Sequence, residues 1–253
     1  MATRPYLLIS NDDGYTAGGI NFLIDTLRPI ADLLVVAPDS PRSGQGCAIT
    51  PTHPLTVRLV RREEGLKVYA CNGTPVDCVK MGLNELVERE PDLVIGGINH
   101  GDNSSVNSHY SGTMGVVTEG ALQGYPAIAF SLCDHSPEAD FSPLQPYLID
   151  MVFKAIALGM PPFTCLNVNF PKRPHFEGVK VCRMARSRWE HEMEHRRHPY
   201  GYDYYWLVGE CRELEPDAED TDRWALAHGY VAITPTTLDT TATGLIDILK
   251  DSF

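Results

Sequence analysis

The 253-residue chain lacks any uninterrupted apolar run of about 18 residues, which a membrane-spanning helix would need. Its start, Met1 to Pro5, leads directly into a short apolar segment without a signal-peptide core. The seven cysteines are scattered and none forms a Cys-x-x-Cys pair, so neither a disulfide framework nor a zinc site is indicated. We therefore expect a cytoplasmic protein with buried free thiols.

Positive charge is scarce, since 21 Lys and Arg residues oppose 33 Asp and Glu residues and give a formal net charge of −12. Nucleic-acid polymers are bound through clustered Lys and Arg, so a broad nucleic-acid-binding surface is excluded. The chain also lacks a Gly-x-Gly-x-x-Gly after its first strand and a Gly-Lys-Ser/Thr P-loop, which argues against a dinucleotide oxidoreductase and an NTPase. A small anionic substrate remains compatible with this composition if a bound divalent cation supplies local positive charge.

Short apolar runs alternate with segments of helical periodicity along most of the chain. The run Tyr6–Ile9 precedes a helical pattern from Gly18 to Ile30, and a second run follows at Leu33–Ala37. Such alternation is typical of an α/β protein with a mostly parallel sheet covered by helices on both faces, which is a three-layer core. Later strands are predicted at Asp92–Gly96, Ala127–Leu132, Leu166–Phe170 and Tyr230–Thr234, and later helices from Thr74, at Gly112–Gln123, Leu144–Leu158 and Gly244–Lys250.

Two stretches depart from this alternation. Residues 55–59 alternate apolar and polar side chains and residues 66–70 resemble a partner strand, which predicts a β-hairpin excursion beside the parallel core. Residues 186–205 are crowded with charges, histidines and aromatics. Because aromatics are enriched at interfaces, we expect residues 186–210 to form an extended arm for subunit contacts within a single domain, 1–253.

Polar clusters follow three of the predicted core strands: Asn11-Asp12-Asp13-Gly14, Arg42-Ser43-Gly44, and Asn99 with Asn103. Ligands of open parallel sheets bind outside the carboxyl ends of the strands, so these clusters should converge. Adjacent buried carboxylates are best offset by a divalent cation, and the further oxygen donors favour Mg²⁺, Mn²⁺ or Ca²⁺ over zinc. Taken alone, Asn-Asp-Asp-Gly is also an ordinary turn sequence.

A further cluster, Tyr110-Ser111-Gly112-Thr113, precedes a predicted helix. Hydroxyls and free backbone N–H groups at a helix N-terminus favour a bound phosphate, although ordinary N-capping explains the same residues. Together with the carboxylate pair, this cluster completes the parts that metal-assisted phosphoryl hydrolysis needs.

Several sequence words that span most of the chain resemble the SurE family, the survival-protein 5'/3'-nucleotidases. These motifs occur in the same order as in the family, and several motifs in that order are far more specific than any single motif. The matching words are Ser10-Asn11-Asp12-Asp13-Gly14, Ala37-Pro38-Asp39 leading to Arg42-Ser43-Gly44, Asn72-Gly73-Thr74-Pro75-Val76-Asp77-Cys78-Val79, Gly97-Ile98-Asn99-His100-Gly101, Tyr110-Ser111-Gly112-Thr113 with Glu119-Gly120, and Gly229-Tyr230-Val231-Ala232-Ile233-Thr234-Pro235.

The resemblance implies a Rossmann-like α/β core, one divalent metal ion, and dimers or tetramers formed through an exchanged C-terminal arm. It also implies hydrolysis of nucleoside 5'- and 3'-monophosphates, with short polyphosphate as a further substrate. After Asn103 this chain has Ser104-Ser105 where the family usually carries a glycine. By motif position, the metal ligands would be Asp12, Asp13, Ser43 and Asn99, and the substrate phosphate would be surrounded by Asn11, Asn103, Ser111, Gly112 and Thr113.

The leading hypothesis is therefore a metal-dependent 5'-nucleotidase with Mg²⁺ or Mn²⁺, in which Asp12 and Asp13 are catalytic and water attacks phosphorus in line. A phospho-aspartate on Asp12 is the mechanistic alternative. A catalytically silent nucleotide-binding or metal-sensing module on the same fold is the alternative function. His100 and His109 flank the expected site and could position water or donate a proton. His191 and His195 stand four residues apart but have no third ligand, which favours a solvated arm.

Overall fold

A computed structural model of the chain describes residues 4–253 and contains a nine-stranded sheet. Its parallel core has the strand order β4-β2-β1-β5-β6-β7, so the predicted mostly parallel α/β sheet is confirmed. At the far edge β13 pairs antiparallel with β7 and parallel with β8. These strands are β1 (Tyr6–Ser10), β2 (Asp32–Pro38), β3 (Val57–Glu63), β4 (Leu66–Cys71), β5 (Leu93–His100), β6 (Ala127–Leu132), β7 (Thr164–Phe170), β8 (Val179–Val181) and β13 (Val231–Thr237).

The predicted hairpin forms at one edge of the sheet, where β3 pairs antiparallel with β4 around a turn at Gly65. Its second strand is not an excursion, because β4 continues the main sheet in parallel with β2. β3 runs to Glu63, beyond the apolar alternation that ends at Leu59. An edge strand keeps its backbone pairing where its side chains are solvated, so side-chain pattern alone underestimates its length.

Helices cover both faces of the sheet and produce two hydrophobic clusters. Ile9 and Ile24 belong to the cluster under α1 and α4, whereas Leu8 and Val117 belong to the cluster under α2 and α3. Each fully buried side chain of this size contributes about 1.5–3 kcal/mol. The helices are α1 (Gly18–Leu27), α2 (Pro75–Met81), α3 (Gly112–Leu122), α4 (Gln145–Leu158), α5 (Asp222–Ala227) and α6 (Thr243–Lys250).

The start of α2 follows its sequence signal closely. Thr74 Oγ1 accepts a hydrogen bond from Asp77 N at 3.1 Å, and Asp77 Oδ2 accepts one from Thr74 N at 2.9 Å, which forms a reciprocal capping box. The α-helix ends at Met81 and continues as a π-helical turn, Gly82–Leu86, where Gly82 lies against Leu8 of β1. A β-carbon on Gly82 would lie 2.8 Å from Leu8 Cδ1, so a side chain does not fit at this approach.

Residues 187–213 form two short antiparallel ladders that are separate from the main sheet, and we call this segment the arm. Its strands are β9 (Ser187–Glu190), β10 (Met193–Arg197), β11 (Asp203–Leu207) and β12 (Glu210–Glu213). β9 pairs antiparallel with β12, and β10 pairs antiparallel with β11. Most side chains of the outer ladder are exposed, including the large aromatic side chains Tyr202, Tyr205 and Trp206. Its role in subunit contacts stays a prediction.

Within residues 4–253, no helix is long and apolar enough to cross a membrane. The last helix, α6, buries none of its residues, although its apolar side chains Leu245, Ile246, Ile248 and Leu249 lie at helical spacing.

Candidate active site

The Asn11–Gly14 turn follows β1 directly and is closed by its own first residue. Asn11 Nδ2 donates to Gly14 O at 3.1 Å, and Asn11 Oδ1 accepts from Gly14 N at 3.2 Å. Gly14 has φ +95°, and an added β-carbon would lie 3.3 Å from Pro38 O, so glycine suits this position. Asn11 therefore shapes the turn with both of its amide atoms. The family resemblance implies that Asn11 also lies beside the substrate phosphate, and that role stays a prediction.

Asp12 is almost fully buried and is held by the start of α3. Thr113 Oγ1 donates to Asp12 Oδ1 at 2.6 Å, and a β-carbon on Gly112 would lie 2.7 Å from Asp12 Cβ. Burial raises the pKa of Asp12 to about 6, the Thr113 hydrogen bond opposes that rise, and the charge of Asp13 adds to it. Two residues predicted beside the phosphate, Gly112 and Thr113, thus position a carboxylate in this structure.

Asp13 lies on the other side of the turn, against the end of β5. Its Oδ2 accepts a hydrogen bond from His100 N at 3.1 Å. Burial raises the pKa of Asp13 as well, while that hydrogen bond and the nearby His100 and His135 oppose the rise. Both carboxylates of the pair are therefore held where the charged form is disfavoured without a compensating cation.

Ser43 and Asn99 lie on the same cavity as Asp12. The loop that carries Ser43 is fixed to the carboxylate turn by a hydrogen bond from Arg42 N to Asp12 O at 2.7 Å. Asn99 Nδ2 donates to Gly101 O at 3.0 Å, an arrangement that leaves the amide oxygen for a ligand. The structure thus brings three of the four predicted metal ligands to one cavity, with Asp13 adjacent in the turn.

Asn103 also lines the cavity and is anchored from three directions. Its backbone N–H donates to Asn169 Oδ1 at 2.9 Å, its carbonyl accepts from Asn167 Nδ2 at 2.8 Å, and its own Nδ2 donates to Ser131 Oγ at 2.9 Å. These partners come from the carboxyl ends of β6 and β7. Asn103 is therefore a rigidly placed residue on a loop, as a phosphate contact requires.

The start of α3 supports both interpretations of Ser111. Ser111 Oγ accepts from Met114 N at 3.0 Å and so caps the helix, and the same residue lines the cavity. The cap engages only one of the several free N–H groups at the helix N-terminus, that of Met114, so it does not by itself exclude an anion there.

Ser105 occupies a backbone conformation that favours glycine, with φ +54°. It belongs to the Ser104-Ser105 pair that the sequence predicts to depart from the family's usual glycine, and hydrogen bonds to residues distant in sequence hold it in place. Ser105 N donates to Asp222 Oδ2 at 2.8 Å, and Ser105 Oγ donates to Ala185 O at 2.9 Å and contacts Ser187 Oγ at 2.5 Å. The loop from Gly101 to His109, which we call the active-site loop, is thereby bonded to the base of the arm.

A cavity of about 600 Å³ joins these segments at the carboxyl edge of the sheet. It contains residues beyond the predicted metal and phosphate ligands. His135 follows β6 and could have been found by the same strand-end rule as Asn99, whereas the residues contributed by the arm carry no local signal. The additional lining residues are Gly44, His100, Gly101, Asp102, Asn107, Tyr110, His135, Trp189, Glu192, Leu207, Val208 and Gly209.

The histidines separate into two groups. His100 and His135 line the cavity, whereas His109 is exposed at the end of a short 3₁₀ helix. His100 Nδ1 lies 3.2 Å from Ser136 O, so a neutral ring carries its proton on Nδ1. His191 and His195 lie on the arm, not on a helix, and face Glu210 and Asp203 at 3.5 and 3.0 Å.

Among residues 4–253, no group of three or more His, Cys, Asp or Glu side chains is placed to hold a metal ion. The predicted site is of a different kind, because its four donors are two carboxylates, a hydroxyl and an amide oxygen. The described cysteines are all free thiols, but the prediction that they are buried is wrong for Cys47, which is exposed, and for Cys133 and Cys211, which are only partly buried.

A mostly parallel sheet, with the Asp12-Asp13 turn and the N-terminus of α3 beside one cavity at its carboxyl edge, defines a Rossmann-like α/β protein, and such proteins bind ligands at this edge. The family model described as Survival protein SurE matches residues 7–191. The chain therefore belongs to the SurE family.

Close relatives cover nearly the whole chain. It is 54% identical to a protein from Bacteroides thetaiotaomicron over 98% of this chain and 95% of that protein. A protein from Phocaeicola vulgatus is 53% identical over 98% and 96%, and both relatives are named 5'-nucleotidase SurE. The solved SurE protein from Aquifex aeolicus is 36% identical, covers 98% of this chain and 99% of its own, and has a TM-score of 0.84.

Proposed function

We propose that this chain is a divalent-metal-dependent 5'-nucleotidase that hydrolyses nucleoside 5'-monophosphates, and also 3'-monophosphates, to nucleoside and phosphate. One observation carries the proposal: Asp12, Ser43, Asn99, Asn103 and Ser111 come from distant segments and line one cavity. The names of the relatives support the substrate class.

The donors fit a hard divalent cation such as Mg²⁺ or Mn²⁺ held by Asp12, Asp13, Ser43 and Asn99. The burial that raises the pKa of both carboxylates is a cost that a cation at the turn would remove. When bound, such a cation supplies Lewis-acid polarisation of the phosphoryl group.

The chain's own residues perform the remaining tasks. The N-terminus of α3, with Ser111, binds and orients the phosphate oxygens, and Asn103 donates from the opposite loop. His100 and His135 are the imidazoles placed to move a proton between the cavity and the reacting oxygens. Positioning and charge neutralisation supply most of the acceleration in phosphoryl transfer, which suits a site of this composition.

Phosphate release from AMP and GMP tests this function directly. We expect turnover with Mn²⁺ or Mg²⁺, loss of turnover with EDTA, and loss in Asp13→Ala, whereas Asp150→Ala on the exposed face of α4 should retain activity. Full activity in EDTA or in Asp13→Ala would contradict the site assignment. If a phosphoenzyme were trapped with excess substrate, the result would support a phospho-aspartate on Asp12 and refute direct attack by water.

The remaining predictions from the sequence concern a silent binding module, polyphosphate as a substrate, the cellular location and the assembly. Tight nucleotide binding without turnover of any phosphomonoester would favour the silent binding module. Short polyphosphate is expected to be a poor substrate, because the cavity lining within residues 4–253 includes no Lys or Arg to meet its additional charge. A cytoplasmic location, and a homodimer or homotetramer formed through the arm, stay predictions; the exposed aromatics of the arm support the second.

A further inference from the structure

One wall of the cavity belongs to the arm. Trp189 comes from β9, Leu207 ends β11, and Glu192, Val208 and Gly209 lie between the strands. All of them lie where the inner ladder, β9 with β12, meets the outer ladder, β10 with β11, and we call this place the arm joint. The arm joint faces the polar segments that carry Asp12 and Asn103 across the same cavity.

The arm joint is tightly built. Val208 N donates to Glu192 O at 2.9 Å, which links the two chain segments across the joint. Gly209 has φ +118°, and a β-carbon there would lie 2.8 Å from Glu190 O, so only glycine fits. His191 has φ +56° in the facing segment. These contacts fix where Leu207 and Val208 stand relative to the cavity.

A side-chain hydrogen bond fixes the arm joint to the active-site loop. Trp189 Nε1 donates to Asn107 Oδ1 at 3.0 Å, and Asn107 Nδ2 donates to Asp102 O at 3.3 Å. The indole ring is thus oriented by its polar edge, and it lies beside the loop that carries Asn103.

The arm joint differs chemically from the rest of the lining. Apart from the Tyr110 ring, the loops contribute carboxylate, hydroxyl, amide and imidazole groups, whereas the arm contributes an indole, two aliphatic side chains and one carboxylate, Glu192. Small-ligand sites combine apolar walls with a few placed polar groups, and about 300–1,000 Å³ is a usual volume for them. The base of a nucleoside has flat apolar faces and a polar edge. In a nucleoside monophosphate, the sugar links this base to the single phosphate that we propose the loops bind.

From this placement we infer that the arm joint is the nucleoside subsite of the cavity. Trp189, Leu207 and Val208 contact the base, and the Glu192 carboxylate accepts a hydrogen bond from the nucleoside and repels a second phosphate. This inference rests on the proposed nucleotidase function, and it assigns substrate selectivity to the arm.

AMP and ribose 5-phosphate separate the two parts of the cavity, because they share the phosphate and the sugar and differ in the base. In the double variant Leu207→Ala, Val208→Ala, we expect KM for AMP to rise about tenfold, the range in which a pocket distinguishes small apolar groups. KM for ribose 5-phosphate should stay within about twofold.

Trp206→Ala is the matched control. Trp206 precedes Leu207 on the same strand, is not among the cavity-lining residues, and points to the opposite face because strand side chains alternate. Its KM for AMP should be unchanged. Light scattering on every variant separates a change in assembly from a change in the subsite.

Glu192→Gln tests the carboxylate with a second phosphate as the probe. We expect the variant to raise kcat/KM for adenosine 3',5'-bisphosphate relative to AMP by about fivefold, because a like charge is removed from a cavity whose described lining contains no Lys or Arg. An unchanged ratio would refute the role given to Glu192.

The outcomes are distinct for each claim. An equal rise in KM for AMP and ribose 5-phosphate, or no rise for AMP, would overturn the nucleoside subsite while leaving the nucleotidase function intact. Phosphate release from neither substrate by the unmodified protein would refute the function instead. In that case calorimetry measures the affinity of the same variants for AMP. An affinity equal to that of the unmodified protein would refute the nucleoside subsite.

Discussion

Arg223 Nη1 lies 2.5 Å from Asp102 Oδ2 in the active-site loop, and Arg223 Nε lies 3.0 Å from Glu213 Oε1 at the end of the arm. The preceding residue, Asp222, accepts hydrogen bonds from the backbone N–H groups of Ser105 and Ala185. The start of α5 therefore connects the loop that carries Asn103 to the base of the arm.

We predict that Arg223→Gln lowers kcat for AMP by about tenfold or more, because displacing a positioned group by a fraction of an ångström is costly in catalysis. Arg223→Lys should recover part of the loss. Steady-state kinetics measures both.

Arg183→Gln is the control for that prediction. Arg183 pairs with Glu215 and Asp220 at the base of the arm and leaves the active-site loop untouched. Equal losses in the Arg183 and Arg223 variants would indicate a general effect on the arm, not positioning of the loop.

Gly112→Ala should inactivate the protein without unfolding it. The new β-carbon would lie 2.7 Å from Asp12 Cβ and 3.0 Å from Pro75 Cγ, so Asp12 must shift. We expect a loss of about 100-fold in kcat. Gly244→Ala in α6, where a β-carbon has open space, should keep full activity. Comparable kcat values in the two variants would contradict the close packing of Gly112 on Asp12.

Asp12 should also make stability depend on pH when metal is removed. Its pKa is raised by burial from the ordinary 3.8 to about 6, so the folded state binds the proton more tightly than the unfolded state. The contribution of Asp12 to the free energy of unfolding is then fully present below about pH 4, and it is lost as the pH rises through about 6. Asn does not titrate, so Asp12→Asn should not lose this stability. The free energy of unfolding of the variant, relative to that of the unmodified protein, should therefore rise by on the order of 2–3 kcal/mol between pH 4 and pH 7.5.

Urea unfolding in EDTA at the two pH values measures this difference. Adding Mn²⁺ at pH 7.5 should stabilise the unmodified protein and leave Asp12→Asn unchanged. A pH-independent difference between the two proteins would show that Asp12 is not the buried acid described here.

Shortening the arm tests its proposed role in assembly. Val208 N already bonds to Glu192 O, so a two-residue turn can replace Met193–Leu207 without moving the base of the arm. We expect the mass from light scattering to fall to that of a smaller assembly, while the melting temperature of the core changes little. An unchanged mass would remove the arm from subunit contacts.

The sequence predicts what depends on local pattern. The strand-end clusters at Asp12, Ser43 and Asn99 were located because apolar runs end just before them, and the Thr74 cap was located from its own spacing. The contact between Thr113 and Asp12 joins residues 101 positions apart and could not be found this way. The arm residues Trp189 and Leu207 were missed as cavity walls for the same reason, since the outer arm strands are largely solvated and show no buried period.

The Asn11 turn is already ordered before any ligand binds. Both amide atoms of Asn11 bond within the turn and the side chain is fully buried, so the direction of the neighbouring carboxylates is set by the fold. A cation or substrate that arrives does not have to order this segment, and its binding free energy is not reduced by freezing a loose loop. An Asn11→Asp substitution, though nearly the same size, would remove the Nδ2 donor that closes the turn. The neighbouring carboxylates would then be less well oriented for binding, although every predicted metal ligand would still be present.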